Sequence, residues 1–539
     1  MALQQAPWPF DKQNADIILH SADGFAFRVY SQILCMASPV FEDMFAMAVP
    51  HDVSMPADQG PPVVPLAEEN DVLDPLLRLC YPIEKLGRPR DLADIPPLLK
   101  AALKYMMPLP VSILTKELLA YAKDRPLQVW AIGCQLGLED VAHAGARGAA
   151  HLKELGTYNE LREFVPVEDF LPHALGISAG DYFRLIQFHR LGGTVPASFT
   201  LTRPAARSQD AQRSRASGPL SPIDRFFTSL PFPDIICRAS DGAEFPSHKA
   251  LLCICSPILS KRLTRATHLE SAESSTSGSV PSDTSLPSID FVEDSAVLAV
   301  LLRHCYPGDH PLPDDISSSL ALVEAAESYG MTHIVTSIKS RWTSIVAQAP
   351  LSAYFAAAAA GFQQEARVAA RLALEVQLGE EYVLEMENSS AQVYQRLLAY
   401  QKRARELAMR VAQASIWKAD GIRDTAKAAS PSAVQSKKRN NRSKAASHTG
   451  EDACGGGCQG FRGRSWLQER RATYLQLLSD HPGKPFVLEA DLLVSSAAFS
   501  LGEKPWCACC LNVAADIVHL GRGLPARISS ELDKLAFDG

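Results

Sequence analysis

The stretch "DIILHSADG" at residues 16–24 returns as "DIICRASDG" at 234–242, and the match runs on from there. At this offset of 218 positions Phe27 answers Phe245, Leu34 answers Leu252, and Ser38-Pro39 answers Ser256-Pro257. A Ser/Thr-rich insertion in the second copy, "ESAESSTSGSVPSDTS", then shifts the offset to 225, and "VLDPLLRLCYP" (72–82) answers "VLAVLLRHCYP" (297–307). "ALKYMM" (102–107) pairs with "AESYGM" (326–331), "PLQVWAIGCQLGL" (126–138) with "PLSAYFAAAAAGF" (350–362), and "YFRLIQF" (182–188) with "YQRLLAY" (394–400). The order never changes and only small indels intervene. One unit of about 180 residues is therefore written twice, which constrains the chain to fold one shape two times.

Local chemistry predicts that shape. Asp16 to Leu19 is a short β-branched run, and Ser-Ala-Asp-Gly supplies a hairpin turn to the returning strand "FAFRV". "YSQILCMASPVFEDMF" carries apolar residues at helical spacing. Ser38 is suited to cap a new helix and Pro39 to fill its first position, where no backbone donor is lost, so two short helices should meet at Ser38 and again at Ser256. "VVPL" and "SIDF" predict a third strand, and Glu68, Glu69 and Asn70 place acceptors at the positive end of the "VLDPLLRLCYP" helix. Beyond residues 91 and 314 each copy reads as helices.

Strand, Asp-Gly turn, strand, then "HKALLCICSP" (248–257) with "LLRHCYP" some fifty residues on, resembles the BTB/POZ domain. The resemblance covers about 16–107 and 234–331, and extends to uncharacterised fungal tandem members with "SP.F..MF" and "LL..CYP". It implies protein–protein association: homodimers or heterodimers with another BTB protein, and in some members adaptor service for a cullin-type ubiquitin ligase. It also implies a pairing between the aspartate opening the first strand and a basic residue after histidine at the next helix. Asp234 with His248 and Lys249 fits that pattern; Asp16 faces Tyr30 and Ser31, so it is expected to be solvated or to cap. The surface is expected from the strand-turn-helix units Asp16–Phe45 and Asp234–Leu263.

The fold class expected is α+β: two tandem BTB/POZ-like modules, each a small sheet clasped by helices with a helical extension, and a small helix-rich C-terminal segment. The expected divisions are 1–107 and 108–195 for the first module and extension, 196–233 for a disordered linker, 234–331 and 332–420 for the second pair with a flexible insertion at about 266–288, 421–450 for a basic linker, and 451–539 for the cysteine-containing segment. The first linker, rich in Arg, Ser, Ala and Pro, would span on the order of 35 Å as a coil. That is enough to let the two modules pair within one chain at near-millimolar effective concentration, or to leave them as separate beads.

Candidate chemistry is confined to the C-terminal segment. Cys454 and Cys458 in "CGGGC", with Cys507 and Cys510 in "WCACC", can supply four thiolates to a tetrahedral zinc. Residues 459–506 make an unusually long spacer, and redox or plain structural thiols stay open; no other cofactor is expected. Lys437, Lys438, Arg439, Arg442 and Lys444 form a basic run that reads either as a nuclear-import address or as a solvated tether. It has no interleaved aromatics, and the net charge of −7 is too mild for a nucleic-acid coat, so nucleic acid is not an expected partner. Cys35, Cys80, Cys134, Cys237, Cys253, Cys255 and Cys305 lie on apolar faces, as packing thiols do in a reducing compartment. There is no phosphate-binding loop, nucleophile elbow, His-Glu-x-x-His or dinucleotide fingerprint. The expectation is a non-enzymatic scaffold, cytoplasmic or nuclear, without membrane contact; a cullin adaptor and a nuclear transcription-associated regulator are the alternatives.

Overall fold

In the computed structural model the first hairpin forms where the β-branched run and the Asp-Gly turn place it. The structure describes residues 4–48, 61–83, 90–149, 157–158, 164–165, 175–196, 199–203, 226–273, 286–376, 378, 381–428, 475–484 and 523–537. They fall into two compact units, 1–205 and 206–539.

In the first unit β2 (Ile17–His20) pairs antiparallel with β3 (Phe25–Val29), in register Leu19↔Phe27. Gly24 closes the turn at a φ of 89°, a region that favours glycine. Helices α1 (Ser31–Ala37) and α2 (Pro39–Ala48) follow, and β4 (Val63–Pro65) returns parallel to β2. A strand not foreseen, β1 (Gln4–Gln5), lies parallel on the outer edge of β3, giving the order β1-β3-β2-β4. Helices α3 (Asn70–Cys80), α4 (Ile95–Lys104) and α5 (Pro108–Ala120) cover the sheet. Leu19, Phe27, Leu34, Phe41, Leu73, Leu76 and Ile95 make one core beneath them. The extension is α6 (Pro126–Leu136), α7 (Glu139–Ala149), a short ladder of β5 (Thr157–Tyr158) with β6 (Phe164–Val165), and α8 (Ala179–Arg190). Helices α6 and α7 cross so closely that a Cβ on Gly145 would stand 2.3 Å from the Trp130 nitrogen.

The second unit repeats the plan. Strands β7 (Ile235–Arg238) and β8 (Glu244–Ser247) pair antiparallel, and β9 (Ser288–Asp290) runs parallel to β7, in the order β8-β7-β9. Helices α9 (Lys249–Cys255) and α10 (Pro257–Glu273) meet at Ser256, and α11 (Ser295–Arg303), α12 (Ile316–Ser328) and α13 (Thr332–Val346) complete the module. The extension is α14 (Pro350–Ala359), α15 (Gln363–Ala373) and the long α16 (Ala391–Ala428).

Two expectations need correction. The stretch 196–233 is not linker throughout. At its start Leu201 is buried, and Glu139 accepts from the Leu201 and Thr202 nitrogens at 2.7 and 2.9 Å. At its end Phe227 is buried in the second core, with its ring 5.0 Å from that of Phe245. The insertion does not begin at 266, because α10 runs on to Glu273. The described parts of the C-terminal segment pack on the second extension: Arg371 pairs with Asp533 at 3.0 Å, Arg405 donates to the Ser479 carbonyl at 2.7 Å, and Phe537 stacks edge-on to Tyr354 and Tyr400.

Candidate interaction surface

The strand-turn-helix unit is held by the same bonds in both copies. Asp16 Oδ1 accepts from the Ser31 backbone nitrogen at 2.8 Å, and Asp234 Oδ1 from that of Lys249 at 2.7 Å. Each carboxylate thus sits at the positive end of a helix and satisfies one of its orphan donors. This corrects the pairing that the resemblance implied: Asp234 meets the main chain of Lys249, not its ammonium. Asp16 needs no cation for the same reason, and the Ser31 hydroxyl donates to its second oxygen. Partial burial pushes the Asp16 carboxyl up, but the Ser31 hydrogen bonds outweigh it and hold the carboxyl below its ordinary value.

The residue before each helix is anchored by the tyrosine of the Cys-Tyr-Pro triplet. The Tyr30 nitrogen donates to Tyr81 Oη at 3.0 Å, and the Tyr30 hydroxyl donates to Asn14 at 2.8 Å. In the second copy His248 stands in Tyr30's place. Its Nε2 is 2.8 Å from the Pro231 carbonyl, which only accepts, so Nε2 carries a proton; Nδ1 lies within hydrogen-bond reach of the Tyr306 hydroxyl at 3.0 Å. Asp16, Tyr30, Asp234, His248 and Lys249 therefore set the angle between sheet and helix.

Sequence reasoning missed what else the repeat conserves. Phe10 packs edge-on to Phe27 and Tyr81, with Arg78 over its ring; in the second copy Phe227 takes Phe245 while Phe226 takes Tyr306 and the Arg303 guanidinium. The hairpin aspartates act at a distance: Asp23 accepts from the Asn70 nitrogen at 3.0 Å and Asp241 from the Ser295 nitrogen at 3.1 Å, each capping the helix after the third strand. Glu68, expected at that helix start, accepts instead from Lys104 at 2.6 Å and from the Tyr105 hydroxyl.

With these side chains occupied, the apolar groups left outward on α1 and α9 stand out. Met36 is 85% exposed and Ile254 is 79% exposed, and they occupy one position of the repeat, 218 apart. Met47 on α2 and Ile258 on α10 are exposed as well. The offset was the signal that could have found the first two, had exposure been legible.

The thiols fit packing. Burial pushes Cys80 and Cys237 up to about 12 and Cys305 further up, and a thiol kept protonated is a poor nucleophile. Among the described residues no group of three or more His, Cys, Asp or Glu is placed to hold a metal, and no helix is long and apolar enough to cross a membrane. Cys454, Cys458, Cys507 and Cys510, and Lys437, Lys438, Arg439, Arg442 and Lys444, lie outside the described residues.

The family model for the BTB/POZ domain matches residues 9–121 and again 223–343. Both matches contain the strand-turn-helix unit, and the second begins upstream of Phe226 and Phe227. No curated protein matches the chain.

Proposed function

This chain carries two BTB/POZ domains in tandem, a family of protein–protein interaction modules, and on that premise we propose that it is a non-enzymatic scaffold whose modules associate through the outward faces of α1 and α9. The observation that supports this reading is the pair Met36 and Ile254. A single exposed apolar side chain is ordinary. The same exposed position kept apolar in two copies, with its neighbours held in the same geometry, is what an interface would require. Burying such a face against a matching module stabilises association by about 25 cal/mol for each Å² of apolar area removed from water.

Sedimentation velocity of the full chain against Met36→Lys, Ile254→Lys and the double variant tests the reading. If the modules pair between chains, the double variant converts a dimer to a monomer. If they pair within one chain, it turns a compact monomer into a slower, extended one. A double variant with unchanged sedimentation and unchanged circular dichroism overturns the proposal.

A further inference from the structure

The outward faces of the two helix pairs share an apolar position and part in charge. From Ser31 to Ala48, α1 and α2 carry two charged residues, the exposed acids Glu42 and Asp43. From Lys249 to Arg265, α9 and α10 carry four, all basic, and Lys261, Arg262 and Arg265 are exposed. The first acid of α10 is Glu270. The 218 offset sets Asp43 against Lys261 and Met47 against Arg265, so the repeat reverses its sign at one exposed position and gains a cation at another. Among the described residues Glu42, Asp43, Lys261 and Arg265 enter no ion pair. Arg262 donates to the Asp290 carbonyl at 3.1 Å, a neutral partner that leaves its charge unbalanced. The acids also lie near the apolar position: burial and the nearby Glu42 carboxylate push the thiol of Cys35, the chain neighbour of Met36, above its ordinary value.

A face that pairs with its own kind meets itself across a two-fold axis. Two first-module faces would then gather only carboxylates, and two second-module faces only cations. Like charges brought together disfavour a contact, whereas opposite patches favour one and fix which partner is chosen. The apolar pair Met36 and Ile254 can serve any of these pairings, so it is the charges that choose among them.

Resting on the reading that α1 and α9 mark the association surface, we propose that the modules pair unlike with unlike between two copies of this chain: the acidic α1–α2 face of one copy receives the basic α9–α10 face of the other. The exchange is mutual, so a two-fold dimer makes the contact twice and leaves neither face open. Closure at two contacts holds such a dimer more tightly than either contact alone.

Sedimentation velocity of the full chain and of two charge-reversed variants tests this. One variant is Glu42→Lys with Asp43→Lys; the other is Lys261→Glu with Arg265→Glu. All four side chains are exposed, and circular dichroism checks that each variant folds. The wild-type chain should dimerise at micromolar concentration, and more weakly as salt rises from about 0.1 to about 1 M and the screening length falls from about 10 to about 3 Å. Each variant alone should dimerise at least about tenfold more weakly. Their equimolar mixture should form a heterodimer near wild-type strength, because the two reversed faces meet each other and so do the two native ones. A monomeric wild-type chain overturns the proposal, as does a mixture that binds no more tightly than its components. Dimers strengthened by salt, or by Lys261→Glu with Arg265→Glu, show like pairing and overturn it too. Met36→Lys with Ile254→Lys, run alongside, separates this proposal from the reading beneath it. If that variant abolishes dimers that charge reversal leaves intact, the surface stands and the choice of partner falls. If the dimer survives it, the surface itself is wrong, and this proposal with it.

Discussion

Met106 is held at a φ of 51°, in the left-handed region, while the residue at the same place in the second module is Gly330 at 69°. A side chain there costs about 1–2 kcal/mol. Met106 is 60% exposed, so little packing offsets that cost. Met106→Gly should therefore stabilise the first unit by about 0.5–1 kcal/mol, after the larger unfolded-state entropy of glycine is subtracted. The reverse change, Gly330→Ala, should destabilise the second unit, because its Cβ would also stand 3.3 Å from Pro257. Urea denaturation of each pair of proteins checks both signs. The serines at the helix junctions act with more force. Ser38 Oγ accepts from the Phe41 nitrogen at 3.1 Å and donates to the Tyr105 carbonyl; Ser256 does the same with Leu259 and Tyr329. Both serines are buried, so Ser38→Ala or Ser256→Ala strands a helix donor and a carbonyl away from water, and each should cost about 1–3 kcal/mol in the same assay.

Among elements, the strap at 199–203 and helix α8 bring pH dependence to the first extension. The Glu139 carboxyl is pushed up by burial, but the hydrogen bonds from Thr202 and Leu201 more than offset this and hold it below the ordinary glutamate value. A depressed carboxyl stabilises the fold fully above its unfolded value, about 4.3, and that contribution is lost as pH falls through the folded value. His189 on α8 is lowered by burial to about 4. It folds neutral, so stability is whole above the ordinary histidine value near 6.5 and declines as pH drops from there toward 4. Between about pH 6.5 and 4.5 the loss should therefore belong to His189, and His189→Leu should flatten the melting temperature of the first unit over that range, as calorimetry can show. The Glu139→Gln variant should keep the histidine slope and lose only the steeper fall below it. These elements also show where the sequence was legible. The hairpin, the helix pair broken at Ser38 and the third strand follow from β-branched runs, helical spacing and a Ser-Pro cap, all read within a few residues. The caps that Asp23 and Asp241 provide join groups 47 and 54 positions apart, which no local pattern reports. Phe226 and Phe227 escaped because the Arg/Ser/Pro stretch before them reads as solvated chain, and the two rings that end it were too few to outweigh that composition.

At the scale of the whole molecule, doubling a module does not make its halves alike in what finishes them. The first extension is closed by residues 199–203, close in sequence to α8. The second is closed by chain that returns from far downstream. In 523–537, Leu524, Ile528 and Leu532 are buried at four-residue spacing, the signature of one helix face laid on a partner surface. Arg371 holds that helix through Asp533 and Ser529, and Phe537 seals the Tyr354 and Tyr400 rings. The sequence marks 451–539 as a cysteine-containing segment after a basic linker and says nothing of what it packs on. The described parts of that segment belong to the second unit. Removing 523–539 would delete four buried apolar side chains and uncover the aromatic rings beneath them, a loss of about 5 kcal/mol once the ordering entropy of the helix is allowed for. The cost must fall on the second unit, since every described bond of this helix is made there. Calorimetry of the full chain should resolve two transitions, and the truncated chain should show one of them lowered by about 10 °C with the other in place. If both transitions fall together, the two units melt as one cooperative body and this division of labour is wrong. If neither moves, the contacts of Asp533 and Phe537 contribute nothing measurable, and the C-terminal helix must be assigned some task other than closing the second module.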